Sequence, residues 1–120
     1  MAKILVVDDS VSMRQMLCFT LKDAGYDVIE SSSSEEALEQ IDGIEVQLVL
    51  SDLNMPGMDG IELAKVLRST PLYQSTPILI LSTESSQEVK QRGRDAGITG
   101  WITKPFNPDQ LLQISEQVIK

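Results

Sequence analysis

A chain of 120 residues, 42% hydrophobic and 23% charged, has room for one globular domain, taken here as residues 1–120, and for no second core. Its formal charge of −8 opposes binding to a polyanionic backbone, so direct recognition of DNA or RNA is not expected. The first apolar run, Ile4 to Val7, is too short for a secretory segment or a membrane span, which predicts a cytoplasmic protein without membrane contact; the lone Cys18 excludes an internal disulfide and reads as a small buried thiol.

In chain order, short aliphatic runs alternate with stretches of helical period, which predicts five βα units and an α/β fold. Ile4 to Val7, Leu48 to Leu50 and Ile78 to Leu81 are nearly all aliphatic, as expected of parallel strands covered on both faces. Val28-Ile29 and Trp101-Ile102 are shorter with polar flanks, so they are placed at the sheet edges. The first helix should use Ser10 as N-cap, bury Met13, Met16, Leu17, Leu21 and Ala24, and end at Gly25. A second should run from about Ser34 to Gln40 with Ala37, Leu38 and Ile41 inward, and a third should follow Gly60 with Ile61, Leu63, Ala64 and Leu67 apolar. The helix after Ser86 has only a thin inward stripe, Val89, Gly93 and Ala96, and a basic outer surface of Lys90, Arg92 and Arg94 that could dock an acidic partner segment. The last helix should start at Asn107 with Pro108 in its first position and bury Leu111, Leu112, Ser115, Val118 and Ile119.

Right-handed crossovers in a five-stranded parallel sheet leave few strand orders, and the common ones place strand 1 beside strand 3. That adjacency brings Asp8 and Asp9 next to Asp52, over the crevice where open α/β sheets bind ligands; Ser82 and Lys104 end strands 4 and 5 on the same rim. Three clustered carboxylates repel one another unless a cation lies among them, and a hard divalent ion such as Mg2+ prefers oxygen ligands. One carboxylate can then attack a phosphoryl group. Asp52, alone on the central strand, is the natural nucleophile, with Asp8 and Asp9 paired as ligands and Lys104 and the Ser82 hydroxyl completing the contacts to phosphate oxygens. The chain has no histidine, so a phosphohistidine donor would belong to a partner.

At these residues the chain resembles the receiver domains of two-component response regulators, and within them the single-domain CheY-like chemotaxis proteins. The matching pieces are Ile4-Leu5-Val6-Val7-Asp8-Asp9-Ser10, Ser51-Asp52-Leu53-Asn54-Met55-Pro56-Gly57-Met58-Asp59-Gly60, Ile80-Leu81-Ser82-Thr83 and Lys104-Pro105-Phe106, in order along essentially the whole chain. The resemblance implies a flavodoxin-like doubly wound sheet of order 2-1-3-4-5 with five helices. It implies that Asp52 accepts phosphate from a histidine kinase, that Asp9 binds Mg2+ directly and Asp8 through water, and that the Asn54 backbone carbonyl is a further ligand. By the same resemblance Lys104 contacts the phosphoryl group, Lys104-Pro105 is a cis peptide, Ser82 and Trp101 form the switch, and Asn54 and Glu84 flank the site as in receivers with short-lived phosphorylation. The implied partner surface comprises helix 4, strand 5 and helix 5, including Lys90, Arg94 and Trp101. The implied partners are the kinase, an output protein such as the flagellar motor switch, and a phosphatase; the protein itself is expected to be a monomer and no enzyme beyond its own phosphorylation and dephosphorylation.

Two residues depart from the family pattern. Thr83 stands where Ala or Gly is usual and is expected to narrow access to Asp52, and Trp101 stands where Tyr or Phe is usual, with an indole nitrogen that cannot accept a hydrogen bond. Met55 to Met58 reads as a shaped turn and Asp59 as structural. Competing functions fit less well: a haloacid-dehalogenase-like phosphatase would want an acid where Asn54 stands, and a flavodoxin-like electron carrier would be repelled by Asp8-Asp9. A phosphorylation-independent interaction module, a phosphate sink and control of pilus motility remain as alternatives to flagellar control.

Overall fold

The architecture follows from where aliphatic side chains fall along five short strands. A computed structural model describes residues 2–84 and 86–119 and orders the elements β1 (Lys3–Val7), α1 (Val11–Asp23), β2 (Asp27–Ser31), α2 (Ser34–Gln40), β3 (Leu48–Asp52), α3 (Gly60–Arg68), β4 (Ile78–Ser82), α4 (Gln87–Asp95), β5 (Gly100–Thr103) and α5 (Pro108–Ile119). The strands are all parallel, in the order β2-β1-β3-β4-β5, so the short polar-flanked strands lie at the edges as expected. Successive strand residues point to opposite faces, and the two faces make two cores. Leu5, Val7, Val49, Ile78 and Ile80 pack against Ala37 and Ile41 near α2 and Ile61, Leu63 and Leu67 of α3. Ile4, Val6, Leu48, Leu50, Leu79 and Leu81 pack on the other side against Leu17, Cys18 and Leu21 of α1 and Leu111 of α5. Each fully buried aliphatic chain contributes roughly 1.5–3 kcal/mol, so β1, β3 and β4, covered on both faces, form the rigid platform for whatever follows their last residues.

The helix ends follow their local chemistry. Ser10 Oγ accepts from the Met13 N–H, Gly25 takes the positive φ of 97° that closes α1, and Asn107 Oδ1 accepts from the N–H groups of Asp109 and Gln110. Asp59 is structural as expected, capping α3 in a reciprocal box with Glu62. The inward stripe of α1 differs from expectation at Met16 and Ala24, which are exposed, whereas Cys18 is buried as expected. The stripe runs through Met13, Leu17 and Leu21, at a spacing of four, and Cys18 extends it on one side, which turns Met16 and Phe19 to solvent. Ala24 is the C-cap, where the chain has already left the helix. A short 3-10 turn over Pro71–Tyr73 is an addition to the elements read from the sequence; the Tyr73 hydroxyl donates to the carbonyls of Ile41 and Ile44 and ties this turn to the end of α2.

Ser115 is fully buried on α5, and its hydroxyl has no hydrogen-bond partner among the described residues. Ser115→Ala removes an unsatisfied group and improves helix propensity, so urea unfolding should show stabilisation of about 1 kcal/mol; a loss of stability would mean that the hydroxyl is satisfied.

Candidate functional site

Strand register assembles the site. Val7 pairs with Ser51, Asp52 with Leu81 and Ser82 with Thr103, so Asp8, Asp52, Ser82 and Lys104 stand at successive strand ends along one rim. One carboxylate oxygen from each of Asp8, Asp9 and Asp52 lies within 4.8 Å of the others. Lys104 Nζ donates to Asp52 Oδ1 at 3.0 Å and lies 3.7 Å from Asp8 Oδ2, close enough for charge attraction and too far for a hydrogen bond. Asp52 Oδ1 also accepts from the Leu53 N–H at 2.9 Å, whereas Asp52 Oδ2 receives no hydrogen bond among the described residues.

Asp8 is fully buried, and burial pushes its carboxyl above the usual carboxylate range. The Ser10 N–H on Oδ1, at 2.9 Å, and the Lys104 ammonium oppose that shift, while the charges of Asp52 and Asp9 add to it. Its Oδ2 is a buried acceptor with no hydrogen-bond partner among the described residues. An orphaned carboxylate oxygen facing two other carboxylates suits a hard divalent cation, and the donor set, all oxygen, is of the kind magnesium prefers. Asn54, the further expected ligand, is exposed in the loop two residues beyond Asp52.

That loop is held close under Asp52. Gly57 turns it with a φ of 77°, and the Gly60 N–H donates to the Leu53 carbonyl at 2.9 Å. A Cβ on Gly60 would meet the Asp52 carbonyl oxygen at 2.5 Å, so only glycine lets α3 start this near the proposed nucleophile. Gly60 was legible as a helix start; its closeness to Asp52 depends on how α3 packs.

The opposite wall is a linked set of polar contacts. Ser82 is buried, and its Oγ accepts from the Glu84 N–H at 2.9 Å. The Trp101 indole N–H donates to the Glu84 carbonyl at 3.0 Å, and the Asn54 amide approaches Glu84 Oε1 at 3.4 Å. Trp101 therefore acts through its donor, and Ser82, Glu84 and Trp101 are mechanically connected. Thr83 is exposed between Ser82 and Glu84. The Lys104-Pro105 peptide is cis, as the resemblance implied.

Trp101 also lies against Gly93 of α4, where a Cβ would meet its ring at 2.9 Å. Gly93→Ala should displace the indole and shift its fluorescence maximum, while moving the unfolding midpoint little because alanine favours the helix; an unchanged spectrum would show that the ring has room. Beside the indole, Lys90, Arg94, Ile98, Thr99 and Gly100 complete a groove of about 190 Å³, which places the three expected partner-surface residues together.

Comparison with known proteins bears on the family and the fold. The response regulator receiver domain family matches residues 4–116. Chemotaxis protein CheY1 of Helicobacter pylori is 37% identical over 98% of this chain and 96% of its own length. The phosphate regulon transcriptional regulatory protein PhoB of Escherichia coli is 31% identical, and there the chain spans about half of the relative, 52% of its length. Among solved structures, chemotaxis protein CheY4 of Vibrio cholerae superposes with a TM-score of 0.95 at 48% identity, covering 98% of both chains. A sheet of order 2-1-3-4-5, acids ending β1 and β3, a family match over nearly the whole chain and these relatives lead to one conclusion: the chain belongs to the response regulator receiver domain family and is CheY-like.

Proposed function

We propose that this domain is a magnesium-dependent phosphoaspartate switch that takes its phosphoryl group from a histidine kinase onto Asp52 and signals by protein contact. The observation that carries the reading is the Asp52 carboxylate, with Oδ1 anchored by Leu53 and Lys104 and Oδ2 left open, beside an orphaned oxygen of Asp8. Asp52 Oδ2 attacks phosphorus; the oxygen–phosphorus bond forms as the phosphorus–nitrogen bond to the donor imidazole breaks, and the electron pair leaves with that nitrogen. The Lys104 ammonium meets charge on the transferred oxygens, and the Ser82 hydroxyl supplies a donor. A magnesium ion held by Asp8, Asp9, Asp52 and the Asn54 carbonyl supplies, when bound, neutralisation of the charge shared by carboxylates and phosphate.

Signalling follows from the contacts of Ser82. If its hydroxyl turns toward the phosphoryl oxygens, it releases the Glu84 N–H, and the carbonyl of the same residue is the acceptor of the Trp101 indole. A change at Asp52 thus reaches the groove formed with Lys90 and Arg94. The similarity to CheY1 and CheY4 favours chemotaxis, with the flagellar motor switch as output and a phosphatase to reset it. The domain catalyses nothing beyond its own phosphorylation and dephosphorylation in this reading.

The test is incubation with acetyl phosphate and magnesium chloride, following phosphate incorporation by mass spectrometry and Trp101 fluorescence together. Wild type should take up one phosphoryl group only with magnesium present, and Asp52→Asn should take up none. Equal incorporation in the variant would move the acceptor elsewhere and overturn the assignment.

A further inference from the structure

We infer that Arg14 is a positioning residue for the divalent cation: its guanidinium fixes the Asp8–Asp9 peptide and thereby aims the Asp9 carboxylate into the site. This rests on the magnesium reading above and goes beyond it by assigning a residue outside the ligand set. Arg14 lies in the first turns of α1 with only 16% of its side chain exposed. Its Nη1 donates to the Asp8 backbone carbonyl at 2.8 Å, and its Nε reaches Glu30 Oε1 on β2 at 3.4 Å. Glu30 is approached in turn by Lys22 at 4.0 Å.

The consequence follows from peptide planarity. The Asp8 carbonyl and the Asp9 N–H belong to one rigid plane, so holding the carbonyl oxygen sets the direction in which the chain enters Asp9. Asp8 is already fixed at two other points, with its N–H donating to the Ser31 carbonyl at 3.1 Å and its Oδ1 accepting from Ser10. Asp9 differs: it is exposed, and its carboxylate makes no side-chain hydrogen bond or ion pair among the described residues, so its backbone alone places it. The planar fork of arginine can serve a carbonyl and a carboxylate in fixed relative directions, which a lysine ammonium at the same position cannot. Partners behind the ligands commonly set metal affinity in this way.

Positioning and simple electrostatics predict opposite signs, which makes the inference testable. Removing a positive charge near a cation site should tighten magnesium binding if charge alone mattered. If positioning matters more, Arg14→Ala should weaken magnesium binding by roughly 10-fold, measured by calorimetric titration of the full chain with magnesium chloride alone. Arg14→Lys keeps the charge and loses the fork, so it should also bind more weakly than wild type; it keeps the test decisive if the alanine variant does not fold, with urea unfolding as the check. Magnesium binding as tight as wild type or tighter in Arg14→Ala, or unchanged binding in Arg14→Lys, overturns the positioning role while the magnesium reading stands. Absence of magnesium binding by the wild type would overturn both.

Discussion

Lys104→Ala is expected to slow phosphoryl uptake from acetyl phosphate by roughly 10²- to 10³-fold at saturating magnesium, the loss typical of removing one preorganised donor to developing charge. The ammonium is 3.0 Å from Asp52 Oδ1 and only 16% exposed, so little water stands ready to replace it. The same change should lower stability without magnesium, because Asp8 and Asp52 lose the cation between them; a charge-assisted hydrogen bond is worth about 1.5–3 kcal/mol. Uptake measured by quench-flow, with urea unfolding in parallel, separates the two effects. A rate within twofold of wild type would place the phosphoryl group out of reach of Lys104.

Asp8→Asn should make the magnesium-free protein more stable, by about 1–3 kcal/mol, because an amide carries no desolvation cost of a buried charge and no repulsion with Asp9 and Asp52. Burial raises the Asp8 carboxyl above its ordinary value of 3.8, so the folded state holds the proton more tightly than the unfolded chain does. The stability this provides is fully present below 3.8 and is lost as pH rises through the higher folded value. The gap between variant and wild type should therefore widen as pH rises from the acid side to neutrality. Magnesium should close it by stabilising the wild type and leaving the variant nearly unaffected. Unfolding curves at several pH values, with and without magnesium, check both; a variant less stable than wild type at neutral pH would mean that Asp8 gains more from Lys104 than burial takes away.

In the proposed switch such stored strain has a use, since repulsion between the acids would make the rim depend on cation and phosphoryl occupancy. The two-sided burial of β1, β3 and β4 tolerates it, because the sheet beneath the rim does not rely on the site for its stability.

The fold was legible in the sequence wherever one residue's neighbours along the chain decide its state. The aliphatic runs at Ile4, Leu48 and Ile78 give strands covered on both faces, Ser10 and Asn107 give helix starts, and the four acidic, hydroxyl and lysine positions at strand ends give the site, because parallel topology carries strand ends to one rim. The roll of α1 was only partly legible: Cys18 is buried as read, but Met16, apolar and near the inward spacing, faces solvent because of how the helix seats on Ile4, Val6 and α5. Nor could the sequence separate Arg14 from Arg92, since an arginine on a helix reads as a solvated charge until the carbonyl of Asp8 is found 2.8 Å away. The closeness of Gly60 to Asp52, of Gly93 to Trp101 and of the indole N–H to Glu84 likewise exists only between different elements whose packing the local sequence does not fix. By itself the sequence determined which residues could carry the chemistry and at which end of the sheet, because periodicity and capping are local. The orphaned oxygen of Asp8, the open oxygen of Asp52 and the link from Ser82 to Trp101 were decided by tertiary structure, because hydrogen-bond satisfaction depends on distances that only packing fixes.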